Sequence, residues 1–146
     1  MSEKRGFTLV ETVTILAILA ILAAILVPAL TTYVDKARQQ AVVSRARAAY
    51  VATQALLSER YGEPSGFDES GGLISLDADS LRAEDSPPIN LDDILALAEV
   101  PISPSQKLTV EYNDRAELTQ FVWQEQQGGR TITVTRQAGG WETTVS

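Results

Sequence analysis

Residues 4–30 read KRGFTLVETVTILAILAILAAILVPAL, and residues 12–30 within this stretch carry no charge. Leu, Ile, Ala and Val dominate it, and a helix that crosses the hydrocarbon core of a bilayer needs about 20 such residues. Lys4 and Arg5 come just before the apolar part, and basic residues on that side favour a cytoplasmic N-terminus. The sequence therefore predicts one membrane-spanning helix, with the rest of the chain beyond the membrane.

Glu11 lies near the start of this apolar stretch, where a carboxylate is unexpected. An ionisable group costs about 2.5–3.5 kcal/mol at the centre of a membrane helix, less near its end, and it normally has a partner. Cleavage after Gly6 would remove Lys4 and Arg5 and leave a new amino group on Phe7, with which Glu11 of a neighbouring molecule could pair. A cleaved secretory signal peptide would need small residues at a cleavage site after the apolar stretch, and no such pattern is evident here. A plain membrane anchor explains the hydrophobicity but not the carboxylate.

The motif GFTLVE at residues 6–11, followed by an apolar helix with Pro28 near its end, resembles the N-terminal signature of type IV prepilins and pseudopilins, a class III type of signal. The resemblance implies that a prepilin peptidase cleaves between Gly6 and Phe7 and methylates the new amine. Subunits would then stack into a helical filament with the apolar helices at its centre and Glu11 against a neighbouring Phe7 amine. Gly6 and Phe7 are thus the expected processing residues, and Phe7, Glu11 and Pro28 the expected assembly residues.

The composition excludes most familiar catalytic sites. The chain has no cysteine and no histidine, so it lacks thiolates, disulfides and the commonest general base and metal ligand. No serine-centred elbow, phosphate-binding glycine loop or paired-carboxylate motif stands out. We therefore expect no enzyme, no catalytic residue, no cofactor and no metal site. Six acids raise the idea of calcium without forming a calcium-loop pattern: Asp68, Glu69, Asp77, Asp79, Asp92 and Asp93.

The net charge of −7 is unevenly distributed. Residues 35–60 hold five basic and two acidic side chains, whereas residues 61–146 hold five basic and fifteen acidic ones. A basic stem thus carries an acidic head, which argues against direct nucleic-acid binding. Arg38 and Arg45 interrupt the apolar face of the stem. Either their aliphatic parts lie along the surface with the charges in water, or the charges meet the acidic head of an adjacent subunit.

A second helical stretch is predicted from Tyr33 onward, with Arg60 in its last turn and Gly62 as its stop. Its apolar face recurs at 4-3-4-3 spacing and comprises Val42, Ala46, Ala49, Thr53 and Leu56. Pro28 cannot donate a backbone hydrogen bond and could end the membrane span. The alanine-rich residues beyond it favour instead a helix that continues through a kink or a loosened turn.

The last third of the chain alternates as strands do. Four strands are predicted, KLTVEYN, ELTQFVWQEQ, RTITVTRQ and WETTV, and the Gly-Gly pairs between the last three are hairpin signals. They form an antiparallel meander with an apolar face that carries Leu108, Val110, Tyr112, Ile132 and Val134. The second strand contributes either Leu118, Gln120 and Val122 or, alternatively, Phe121 and Trp123 on its opposite face. Upstream, LISLDADSLR is a strand or a turn, and INLDDILALAEV predicts a short helix capped by Asn90.

These segments predict an α+β chain, and the resemblance implies the pilin fold, a long N-terminal helix packed on a four-stranded antiparallel sheet. The predicted parts are a cleaved leader (1–6), a membrane-spanning and filament-core half-helix (7–30), an amphipathic half-helix (31–62), a variable connection with a short helix (63–106) and a sheet head (107–146).

The resemblance implies the structural subunit of a type IV pilus, made as a single-pass precursor in the cytoplasmic membrane and assembled into an extracellular filament on the cell surface. The implied partners are further copies of the chain, the prepilin peptidase, the assembly platform, minor pilins and, before assembly, the membrane. A pseudopilin of a type II secretion or DNA-uptake machine is the near alternative, and a membrane-tethered extracellular binding or enzymatic domain is the distant one. In many pilins a disulfide closes a C-terminal loop. This chain has no cysteine, so the resemblance does not imply an adhesive surface built on such a loop.

Overall fold

The computed structural model describes residues 7–61, 71–77 and 89–146. The chain divides into two compact units, Met1–Arg38 and Gln39–Ser146. A single helix, α1 (Leu9–Arg60), runs through both units over 52 residues.

In the first unit, α1 continues through Pro28 without a break, as the alanine-rich sequence predicted. The hydroxyls of Thr31 and Thr32 donate to the Pro28 carbonyl at 2.9 and 3.2 Å. Every described side chain up to Arg38 is exposed. This part of α1 therefore owes its helical form to local sequence and not to packing within its own unit.

The second unit holds an antiparallel five-stranded sheet in the order β1-β2-β3-β4-β5. Its strands are β1 (Gly72–Asp77), β2 (Lys107–Tyr112), β3 (Leu118–Gln127), β4 (Arg130–Gln137) and β5 (Gly140–Val145). The four predicted strands are confirmed. The predicted total of four is wrong by one, because β1 comes from the segment left as strand or turn and pairs with β2. Ile74 and Leu76 alternate into the core from β1 and give that strand its buried face.

The core lies between the sheet and the C-terminal half of α1. The predicted sheet residues Leu108, Val110, Tyr112, Ile132 and Val134 are all buried. On β3 the buried apolar residues are Phe121 and Trp123, and Glu125 is buried on the same face, so the option with Leu118, Gln120 and Val122 is wrong. Large aromatic side chains bury about 150–250 Å² each, which favours the face of β3 that carries them as the inward one.

The helical contribution to the core follows the predicted stripe. Val42, Ala46, Ala49 and Thr53 are buried. The predicted stripe ended at Leu56, three residues after Thr53. In the structure the next residue in the core is instead Leu57, four residues after Thr53. Leu56 is only partly buried against the cluster.

A short helix, α2 (Leu91–Leu97), is present where it was predicted. The Asn90 side chain accepts a hydrogen bond from the Asp93 backbone N–H at 2.8 Å, so Asn90 is the N-cap. Ile94 and Leu95 are buried, whereas Leu97 is exposed. The helix thus covers the core with one face only.

Some predictions concern residues outside the described ranges. Gly62, the predicted stop of α1, is one of them, although α1 does end at Arg60. Three of the acids considered for calcium, Asp68, Glu69 and Asp79, also lie outside. Within the described part of the chain, no group of three or more acidic side chains is placed to hold a metal ion.

Candidate assembly site

Thr8 caps the start of α1, and Glu11 lies in its first turn. The Glu11 backbone N–H donates to Thr8 Oγ1 at 3.2 Å, and the Thr12 N–H donates to the Thr8 carbonyl at 3.1 Å. Thr-x-x-Glu is the sequence of a capping box, and a carboxylate in the first turn is stabilised by the helix dipole. This role was not among the sequence-based predictions, although residues 8–11, TLVE, carry the pattern.

The structure gives Glu11 no ion pair with any basic side chain of the described residues, and it leaves Glu11 exposed. Phe7 precedes the helix and is 78% exposed. Gly6, Lys4 and Arg5 lie outside the described ranges. The pairing of Glu11 with a Phe7 amine requires a second, processed molecule and stays a prediction.

The apolar stretch after Glu11 is suited to a lipid environment. Between Glu11 and Asp35 lie 23 residues without a charge, about 34 Å of helix, against about 30 Å for a hydrocarbon core. By length and composition α1 can cross a membrane. Its large apolar side chains are exposed, so they are available to lipid or to other helices.

The threonine hydroxyls of this stretch are satisfied inside the helix. Thr12 and Thr14 donate to the carbonyls of Thr8 and Val10 at 3.3 and 2.8 Å, as Thr31 and Thr32 do to that of Pro28. Such internal bonds remove the cost of bringing hydroxyls into hydrocarbon. Pro28 itself supplies no N–H to the preceding turn. Its predicted role in assembly remains a prediction.

Arg38 and Arg45, for which a contact with a neighbouring head was one of two alternatives, have partners within their own chain. Arg38 Nη1 lies 3.6 Å from Asp35 Oδ1, and both side chains are 52% exposed. Arg45 instead forms a two-pronged pair with Glu125 of β3, with Nη2–Oε1 at 2.7 Å and Nε–Oε2 at 3.1 Å. The inter-subunit role of both arginines stays untested, but Arg45 already has a carboxylate in its own head.

The Arg45–Glu125 pair is part of a larger hydrogen-bonded group between α1 and the sheet. The side chains of Arg45 and Glu125 are 22% and 5% exposed. Trp123 Nε1 and Gln127 Nε2 also donate to the Glu125 carboxylate, at 3.4 and 3.1 Å. A carboxylate with this many donors is compensated for its loss of water. No sequence signal identifies the pair, because its members are 80 residues apart.

Gln54 forms a second polar contact between α1 and the sheet. Its Nε2 donates to the Ala116 carbonyl at 2.9 Å, and its Oε1 accepts from the Leu118 N–H at 3.0 Å. One side-chain amide thus satisfies two backbone groups of the turn between β2 and β3. The two contacts flank Tyr50, whose ring packs edge-on against Phe121 at 5.5 Å between centroids.

Comparison with known proteins places the N-terminal region in context. Residues 1–27 match the family model described as the prokaryotic N-terminal methylation motif. The chain is similar to Fimbrial protein Q of Moraxella bovis, with 41% identity over 59 residues, which cover 40% of this chain. The same stretch spans 38% of that relative, so the chain covers well under half of the length of the curated protein it matches. No solved structure matches it significantly.

The chain thus combines the N-terminal methylation motif with a long helix packed on an antiparallel sheet, as the resemblance to type IV pilins and pseudopilins implied. Residues 1–27 carry a type IV pilin signal, and the similarity to a fimbrial protein agrees with it. An apolar N-terminal helix of this length also fits membrane insertion of the precursor.

Proposed function

We propose that the chain is the structural subunit of a type IV pilus. The observation that carries the proposal is the position of Glu11, a carboxylate without an ion pair among the described residues. It lies at the capped start of an exposed apolar helix, inside a methylation motif. The apolar side chains of such a helix can be covered either by lipid or by further copies of the helix. A carboxylate in apolar surroundings normally has a cationic partner, and a processed neighbouring copy would supply one in its Phe7 amine.

In the proposed sequence of events, prepilin peptidase cuts after Gly6 on the cytoplasmic side. The cut removes Lys4 and Arg5, which hold the precursor in its orientation. It also creates an amine on Phe7, four residues before Glu11. Residues 7–30 then pass from the membrane into the filament core, with the assembly platform and minor pilins as partners, and the heads form the surface of the extracellular fibre.

A pseudopilin of a type II secretion or DNA-uptake machine is the alternative, because a match to the N-terminal methylation motif does not distinguish it from a pilus subunit. The two differ in the amount of fibre made, since a pilus requires many subunits and a pseudopilin fibre is short. A membrane-tethered binding or enzymatic domain has no observation of its own in its favour.

The test is electron microscopy of material sheared from the cell surface, followed by mass analysis of its main subunit. We expect abundant long fibres and a subunit that begins with methylated Phe7. A Gly6→Val variant serves as the control, because a branched side chain before the cut should block processing and leave the fibres absent. A native fibre subunit that retains Lys4 and Arg5 would contradict the proposal, and correct processing without surface fibres would favour the pseudopilin.

A further inference from the structure

Two arginine side chains converge on the ring of Trp141 in β5. The guanidinium carbon of Arg47, on α1, lies 5.6 Å from the centre of the Trp141 ring, and that of Arg136, on β4, lies 5.8 Å from it. Both distances are within the range of a cation–π contact. Arg136 is also the strand partner of Trp141 in the register of β4 and β5. We name these three residues the Trp141 patch.

The ring that holds the two cations is itself fixed by aromatic neighbours. Tyr50 packs edge-on against Trp141 at 5.4 Å between centroids, and Phe121 does so at 6.2 Å. Trp141 is partly buried against the core. The guanidinium groups are therefore placed by a preorganised surface, and little side-chain entropy remains to be lost when a ligand binds them.

Neither cation of the patch has a carboxylate partner in the described part of the chain. Arg38 and Arg45 are paired with Asp35 and Glu125. Arg47 is exposed and is in neither ion pair, and Arg136 donates only to the Gln137 carbonyl at 2.8 Å. A chain with a net charge of −7 thus presents two adjacent positive groups without counter-ions among these residues.

We propose that the Trp141 patch binds carboxylates on the head of a second copy of this chain. The proposal rests on the filament function above and assigns its electrostatic contact to Arg47 and Arg136. Residues 61–146 hold fifteen acidic side chains against five basic ones, so a neighbouring head supplies the complementary charge. A guanidinium binds a carboxylate through two parallel hydrogen bonds, the geometry that gives such contacts their specificity. The same acidic head repels a polyanion, which disfavours nucleic acid as the ligand.

Photo-cross-linking in the full chain tests this contact. A benzophenone amino acid replaces Ser44, an exposed residue one helical turn before Arg47, so that both arginines stay in place. We expect a light-dependent adduct of two chains whose cross-linked peptide lies within residues 61–146 of the second copy. Arg47→Glu and Arg136→Glu should each lower its yield about fivefold or more, and Arg47→Lys should retain most of it.

Arg115→Glu is the matched control, because Arg115 is an exposed arginine elsewhere on the head and its replacement changes the net charge equally. Circular dichroism of the detergent-solubilised variants checks that the fold is intact. The patch assignment is overturned if Arg47→Glu and Arg136→Glu leave the adduct unchanged, if Arg115→Glu lowers it as much, or if the label captures nucleic acid instead. Electron microscopy of the same cells separates the two proposals. Fibres that form without the cross-linked adduct would refute the role of the Trp141 patch but not the pilus function. An adduct without fibres would refute the pilus function but not the role of the patch.

Discussion

At the scale of single residues, Glu11 has one role that the structure shows and a second that we propose. Its backbone N–H completes the cap made by Thr8, which helps the helix to start at Leu9. Its carboxylate is available for a cation of another molecule. The first role acts within one chain and the second between chains, so substitutions can separate them.

We predict that Glu11→Gln allows membrane insertion but impairs filament assembly. Glutamine can still occupy the third position of a capping box, whereas it cannot attract the Phe7 amine as a carboxylate does. Thr8→Ala is the counterpart: it removes the cap at a cost of about 1 kcal/mol in helix stability and should still assemble. The measurement is the ratio of sheared fibre to membrane-bound subunit, by immunoblot. Normal assembly of the glutamine variant would show that the charge is dispensable.

The Arg45–Glu125 pair provides a second prediction at this scale. Glu125→Gln should lower the free energy of unfolding by about 3 kcal/mol, because it leaves the largely buried Arg45 guanidinium without its counter-ion. Arg38→Gln, which breaks the exposed pair with Asp35, should cost less than about 1 kcal/mol. Urea unfolding of the detergent-solubilised full chain, followed by tryptophan fluorescence, measures both. Equal losses of unfolding free energy for the two variants would show that burial does not make the Arg45–Glu125 pair more stabilising than the exposed Arg38–Asp35 pair.

At the scale of elements, local sequence was enough to predict four strands of the sheet, including the edge strand β5, but it left the other edge strand, β1, open. The hairpin between β3 and β4 has Gly128 and Gly129 as its two-residue loop, both with positive φ, as a Gly-Gly pair between alternating strands indicates. β1 was left open because six residues with only two buried positions form too short a pattern to choose between strand and turn. The inward face of β3 was also left open, since residues of both faces include apolar side chains.

The hairpin loops lead to a third prediction. Gly129→Ala should lower the free energy of unfolding by about 1 kcal/mol, because its φ of 79° lies in the left-handed region that disfavours a Cβ atom. Gly139→Ala is a close control: its φ is not among the positive ones, and at both glycines an added Cβ would meet nothing within 4 Å. Any difference between the two variants in chemical unfolding therefore reports backbone conformation alone. A Gly139 variant as unstable as the Gly129 variant would rule out this explanation.

At the scale of the whole molecule, the parts of the candidate site that are local in sequence were predictable, and the long-range parts were not. Glu11 and the apolar stretch that follows it lie on one helix, where spacing translates directly into position. The partner of Arg45 depends on the packing of β3 against α1, and nothing near Arg45 in sequence indicates it. The Trp141 patch likewise combines three separate elements.

The distribution of charge also predicts how the precursor lies in the membrane, and the absence of cysteine makes this testable. With Lys4 and Arg5 before the span, the N-terminus should be cytoplasmic and the acidic head outside. In cells without prepilin peptidase, a membrane-impermeant maleimide should therefore label Thr144→Cys, an exposed position of β5, but not Ser2→Cys. Permeabilised cells should show both sites labelled, which confirms that each cysteine is reactive. Labelling of Ser2→Cys in intact spheroplasts would reverse the orientation, place the Phe7 junction away from a cytoplasmic peptidase and so refute the proposed processing.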